Sequence, residues 1–261
     1  MKRTSLTNKQ RDVLERLLAQ HGPVVTSAQI SQKLSYATEQ SERRFIAVLR
    51  QAGWLVRIKK GLYQIADLSS LGSLTLSRFT ITQLLVPESY ISFEAALQQH
   101  GLFDQGLEGI RSVSRKQHTD VVLEGTKYSY VTTTERYFFG YTDSVLDGRH
   151  VRIATPEKAV LDLLQFGRTQ VTVDVVKEIL LEHQDVLHRN QLIVWAQRLP
   201  IAIQRVVGFL LDTTGQSAGE QLHASVQKEP SVSRLTRESS VYDSRWRLYI
   251  DPYFVDQKDI S

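Results

Sequence analysis

Apolar positions recur at helical spacing along the first fifty residues. Val13, Leu14, Leu17 and Leu18 mark one face of a first helix. It opens at Thr7, where Thr7 and Gln10 stand three apart as in a capping box, and Gly22-Pro23 ends it. A second helix starts at Thr26, with Gln29 in the same capping position and Ala28, Ile30 and Leu34 on its buried side. A third runs from Thr38 to Ala52, with Phe45, Ile46, Leu49 and Ala52 toward the core and Gly53 as the residue that turns the chain out of the helix. The period then changes. Trp54 to Arg57 reads as a strand, Lys59-Lys60-Gly61 as a turn, and Leu62 to Ile65 as the returning strand.

The pattern beyond residue 68 is mixed. Ser69–Ser73 is a small, polar linker, and a helical stretch follows near Leu74–Leu85. Ser92 is placed to cap a helix that Gly101 ends. From Ile110 to Ile153 the short apolar runs are strand-like, and Asp147-Gly148 suits a hairpin turn. At Thr155-Pro156-Glu157 a helix begins again: Thr155 as cap, Pro156 at the first helical position, Glu157 at the positive end. Three apolar stripes follow: Val173, Val176, Ile179 and Leu180; Leu192, Ile193, Ala196 and Leu199; Val206, Val207, Leu210 and Leu211. Residues 216–240 are polar and poorly periodic, and Arg245–Ile250 alternates like a last strand. The fold class read from this is α+β. An N-terminal winged helix–turn–helix, residues 1–68, precedes a mixed α/β C-terminal domain, residues 75–261, whose second half is helical.

Charge sharpens the first module. The chain as a whole carries +4, but residues 1–68 hold 12 Lys/Arg against 5 Asp/Glu, which is +7, and residues 69–261 hold 20 against 23, which is −3. A basic helix–turn–helix with a basic wing is a device for gripping duplex DNA, where neutralised phosphates release counterions and so supply much of the affinity. The N-terminal part of a recognition helix meets base edges in the major groove. Thr38, Gln40, Ser41, Arg43 and Arg44 hold that position here; arginine suits guanine and glutamine suits adenine. Arg57, Lys59 and Lys60 on the wing would reach phosphate or a minor groove. Glu39 and Glu42 would oppose phosphate, so they should point sideways or pair with Arg43 or Arg44.

Three stretches together resemble a known family. They are the winged helix ending in Lys60-Gly61-Leu62-Tyr63; Tyr90-Ile91-Ser92-Phe93-Glu94-Ala95-Ala96-Leu97 with His100-Gly101-Leu102; and Ala154-Thr155-Pro156-Glu157-Lys158-Ala159 with Leu161-Asp162-Leu163-Leu164. In this order and spacing the chain resembles the AbiEi antitoxins of bacterial type IV toxin–antitoxin systems, first known from phage abortive infection. The resemblance implies a repressor that binds inverted repeats in the double-stranded DNA of its own promoter. It also implies a C-terminal domain that counteracts a separately encoded nucleotidyltransferase toxin without requiring a stable complex. It carries over no neutralising residues: Ala95, Ala96, Leu97, Leu161 and Leu164 read as core packing.

Other chemistry finds little support. The chain has no cysteine, hence no disulfide, thiolate metal site or cysteine nucleophile. Asp120, Glu124 and Lys127 lie on strand-like sequence, but Glu124 and Lys127 are three apart and would point to opposite faces, against a metal nuclease. His183 and His188 are five apart, not the four that brings two imidazoles to one helix face. No phosphate-cradling glycine loop and no nucleophile elbow occurs. The expectation is therefore no catalytic residue, no cofactor and no metal. With no apolar run long enough to span a membrane and no signal-peptide core at the N-terminus, a cytoplasmic protein is expected. The remaining alternative is a winged-helix regulator whose C-terminal domain senses a small ligand, which the same charge split fits.

Overall fold

A computed structural model describes residues 5–34, 38–66, 76–216 and 220–254, apart from the Gln221 side chain. The Ser69–Ser73 linker and the break between the second and third helices at 35–37 lie outside these residues. The described chain is α+β and divides into two compact units. One comprises residues 1–87 with 145–149, the other residues 88–144 and 150–261.

The first unit begins with α1 (Asn8–His21), β1 (Val24–Thr26), α2 (Ser27–Leu34) and α3 (Glu39–Gln51), then β2 (Leu55–Lys59), β3 (Leu62–Ile65) and α4 (Arg78–Leu85). Both expected capping boxes form. Thr7 and Gln10 exchange backbone and side-chain bonds of 2.9 and 3.3 Å, and Thr26 and Gln29 do so at 2.8 and 3.2 Å. Leu14, Leu17, Ile30, Leu34, Phe45, Ile46, Leu49, Trp54 and Ile65 close one core. The sequence pattern did not reveal β1, which pairs antiparallel with β3 to make the order β1-β3-β2. A strand of three residues is too short for alternation to show. The helical stretch expected near Leu74–Leu85 is α4, capped by Ser77, whose N–H donates to Asp147 at 2.7 Å.

The second unit holds β4 (Ser89–Ile91), α5 (Phe93–Gln99), β5 (Gly109–Ser114), β6 (Val121–Leu123) and β7 (Thr126–Thr132). Next come β8 (Tyr141–Leu146) and β9 (Arg149–Ala154), whose shared tip counts with the first unit. Together these strands form a mixed sheet in the order β6-β7-β5-β4-β9-β8, with β4 parallel to β9 and antiparallel to β5. Asp147 and Gly148 turn the β8–β9 hairpin with φ of 52° and 69°, the positive values that a two-residue turn of this kind needs.

The helical second half comprises α6 (Pro156–Phe166), α7 (Gln170–Glu182), α8 (Arg189–Ala196), α9 (Ile201–Thr213) and α10 (Glu220–Lys228). It is followed by the small sheet β10 (Ser233–Arg234), β11 (Val241–Asp243) and β12 (Leu248–Ile250), ordered β10-β12-β11. Two readings of the sequence are amended here. The polar stretch 216–240 contains α10, whose Leu222 and Val226 are buried. The alternation from Arg245 forms a strand only at Leu248–Ile250. Its first part is a turn in which Trp246 N–H donates to Asp243 and Arg247 sits at φ 48°. The ring of Trp246 drives that choice: it is buried on α9, where a Cβ at Gly208 would stand 2.2 Å from it.

Helix α6 is buried along Glu157–Leu164, its charged residues included. A helix buried on every side must satisfy each polar group internally. Glu157 accepts from Thr155 Oγ1 at 2.8 Å and from the backbone N–H of His188 at 2.9 Å. Lys158 and Asp162, both fully buried and one turn apart, form an ion pair. Ser92 holds the capping position of α5 but makes no cap bond. Its hydroxyl donates instead to Asp162 at 2.6 Å, beside Tyr90 OH at 3.1 Å. The two quoted stretches Tyr90–Leu102 and Ala154–Leu164 are thus one packed, hydrogen-bonded core, with Ala95, Ala96, Leu97, Leu161 and Leu164 all buried.

Candidate nucleic-acid interface

Helix α3 presents its polar face because its apolar positions are spent on the core. Phe45, Ile46 and Leu49 are buried, while Thr38, Gln40, Ser41, Arg43 and Arg44 are all exposed. At 3.6 residues per turn, Gln40, Arg44, Ala47 and Gln51 fall on one outward stripe, with Arg43 at its flank. Thr38 caps the helix, its Oγ1 accepting from Ser41 N–H at 3.3 Å, and the two hydroxyls lie 2.6 Å apart. Thr38 and Ser41 therefore spend their hydroxyls on the helix end, whereas Gln40 and Arg44 stand clear of it.

The two carboxylates of the first turn are both engaged. Glu39 holds Arg43 at 2.6 Å, and Glu42 accepts from Ser31 Oγ of α2 at 2.8 Å. The Glu39–Arg43 pair is on the surface, with about three quarters of each side chain exposed. Such a pair contributes only ~0.2–1 kcal/mol, so a phosphate or a guanine edge can displace Glu39 at little cost. Among the described residues, Arg44 has no ion pair or side-chain hydrogen bond.

The wing is β2 and β3, which pair antiparallel from Leu55↔Ile65 to Lys59↔Leu62 with an irregularity between Arg57 and Lys59. Gly61 turns it at φ 76°, and its carbonyl accepts from Ser27 N–H at 2.9 Å, which fixes the wing tip to the start of α2. Arg57, Lys59 and Lys60 are exposed. Lys59 Nζ reaches the Leu85 carbonyl at the C-terminal end of α4, 3.4 Å away, while Arg57 and Lys60 carry no ion pair among the described residues. All eight predicted residues thus lie on two exposed elements of one unit, five on α3 and its cap and three on the wing.

Asp120, Glu124, Lys127, His183 and His188, the residues with other candidate chemistry, all belong to the second unit. Lys127 on β7 pairs with Asp120, just before β6, at 3.0 Å, and Glu124 sits in the turn between those strands at φ 47°. His183 ends α7 and His188 precedes α8. Among the described residues no group of three or more His, Asp or Glu side chains gathers as a metal site, and no helix is long and apolar enough to cross a membrane.

Residues 12–66, which span α1 to the end of the wing, match the family model described as transcriptional regulator, AbiEi antitoxin. The likeness to the AbiEi family is thus carried by the N-terminal module. That match covers the helix–turn–helix and wing described above and stops before α4. No curated protein matches the chain. Among solved structures, the crystal structure of the RV2827C protein from Mycobacterium tuberculosis is similar over 99% of this chain and 96% of that one, with a TM-score of 0.69 and 14% identity. At that identity the likeness is one of fold. It extends the shared architecture well beyond the AbiEi-matched residues, through the sheet and helices of the second unit.

Proposed function

We propose that this chain is an AbiEi-type antitoxin that represses its own operon and counteracts a nucleotidyltransferase toxin. In this reading residues 1–68 bind promoter DNA at inverted repeats, and residues 75–261 carry the antitoxin function without requiring a stable complex with the toxin. The observation that carries the reading is the AbiEi match over residues 12–66, on a module whose exposed face is basic. Gln40, Arg43 and Arg44 read base edges, Thr38 and Ser41 set the helix end against the backbone, and Arg57, Lys59 and Lys60 hold phosphate. The protein works in the cytoplasm, where promoter and toxin are both found.

The test pairs two assays on the full chain. An Arg43/Arg44/Lys59/Lys60 quadruple alanine variant is examined in a promoter–reporter strain and in a growth assay with the neighbouring toxin gene. Loss of repression with protection retained is the expected result. Loss of both by a folded variant counts against separate functions. Failure of the wild-type chain to protect against any neighbouring gene product favours a regulator with another kind of C-terminal input.

A further inference from the structure

The second unit contains an open cleft of about 1370 Å³ between the α6–α7 connection and the segment around β10. Its wall includes Gln165, Arg168, Thr169, Arg234, Arg237 and Tyr249. Arg168 is half-buried, yet it has no hydrogen bond or ion pair with any described residue, and its Nη1 is a buried donor without an acceptor. Burial pulls its pKa down, because the guanidinium is drawn partly out of water. Gln165 Oε1 nearby is also buried without a donor.

Other arginines show what ordinary structural use looks like in this protein. The wholly buried Arg205, whose pKa burial also lowers and whose Nε is unpaired, still spends both Nη atoms on the Ser233 hydroxyl and the carbonyls of Glu229 and Ser231. Arg234 donates to the Ser239 carbonyl and lies 4.8 Å over the Tyr249 ring. Arg168 has neither kind of support. A half-buried, unpaired guanidinium lowers the stability of the empty protein, so it is retained where something else uses it. The cleft's formal charge has the same sign. Arg168, Arg234 and Arg237 face one carboxylate, Glu238, and α7 begins with its positive end at Thr169. A guanidinium presents paired donors that match a phosphate. The volume exceeds what a bare inorganic ion fills and lies above the ~300–1,000 Å³ typical of small-ligand pockets, leaving room for an organic ligand with its solvent.

We propose that this cleft is a binding site for a phosphate-bearing small molecule of nucleotide size, with Arg168 as its principal anion ligand, Arg237 as a second cation and Gln165 as a polar contact. The site goes beyond DNA binding and toxin neutralisation. It gives the second unit a small-molecule input of its own.

Isothermal titration calorimetry on the full chain tests it, with ATP, pyrophosphate and adenosine as probes. ATP binding with adenosine silent is expected, and pyrophosphate binding as well assigns recognition to the phosphates alone. Arg168→Gln should weaken ATP at least ~10-fold, as loss of a charge-assisted, bidentate contact does. The exposed Arg237→Ala should weaken it less. The quadruple alanine variant of α3 and the wing should bind ATP like the wild type; loss there instead would place the phosphate on the DNA-binding face and overturn the proposal. Thermal melting supplies a second readout. Without ligand, Arg168→Gln should melt at or above the wild-type temperature, and ATP should raise the wild-type melting temperature but not the variant's. Absence of wild-type binding, equal binding by Arg168→Gln, or a lowered melting temperature of that variant without ligand would each refute the site.

Discussion

Removing the carboxylate of Asp162 should be among the most costly single changes in the second unit. The side chain is fully buried and accepts from Lys158 Nζ, Ser92 Oγ and Tyr90 OH. Burial pushes its carboxyl pKa up, and the nearby Lys158 and its hydrogen bonds oppose that. Asp162→Ala strands a buried ammonium and two buried hydroxyls. Breaking a buried pair from one side costs ~3–5 kcal/mol. The faces of Phe139 and Tyr90, 5.0 and 5.7 Å from Lys158 Nζ, offer partial refuge, which sets the expectation near ~4 kcal/mol. Asp162→Asn keeps an acceptor for Ser92 and Tyr90 and should fall between that and the wild type. Lys158→Met with Asp162→Leu removes both charges and should recover most of the loss, a coupling of ~3 kcal/mol. The chain has three tryptophans, and Trp195 and Trp246 lie in the second unit, so urea unfolding on a Trp54→Phe background reports that unit by fluorescence. A loss below ~1 kcal/mol for Asp162→Ala, or a double variant no better than the single one, would refute the reasoning.

Two further outcomes follow from named contacts. Arg44→Ala should lose ~1–3 kcal/mol of promoter binding and relax preference at one base pair, whereas Lys60→Ala should weaken all sequences alike and flatten the salt slope, both read by fluorescence anisotropy on matched and mutated sites. Gly208→Ala should destabilise the second unit by ~1–3 kcal/mol in the same urea assay, because its Cβ would sit 2.2 Å from the buried Trp246 ring; an unchanged midpoint would mean that the ring moves aside freely.

The sequence disclosed most where local chemistry decides structure. The capping pairs Thr7/Gln10 and Thr26/Gln29, the turn at Gly61, and Thr155 before Pro156 are short-range devices, and each forms where the residues predict it. Long-range pairing was not legible. Strand β1 shows no alternation in three residues and exists because β3 is there to bond it. The polar composition of 216–240 hid α10, whose burial rests on Leu222 and Val226 against α9. The buried pair left a faint sign, two opposite charges four apart on an otherwise apolar helix. That Ser92 and Tyr90 complete it, some seventy residues away, only the fold tells. On α3, spacing separated the exposed face from the core, but the engagement of Arg43 by Glu39 and the freedom of Arg44 are visible only with side chains in place.

The central claim is that the basic face of α3 and the wing grips duplex DNA. Its most direct test is the affinity of the full chain for its own promoter fragment, measured by anisotropy across salt from ~50 to ~200 mM, beside the Arg43/Arg44/Lys59/Lys60 quadruple alanine variant. If the face makes the phosphate contacts assigned to it, log affinity falls linearly with log salt for the wild type, and the variant binds far more weakly with a slope shallower by several contacts. Salt-independent binding, or a variant whose affinity and slope match the wild type, would contradict the account.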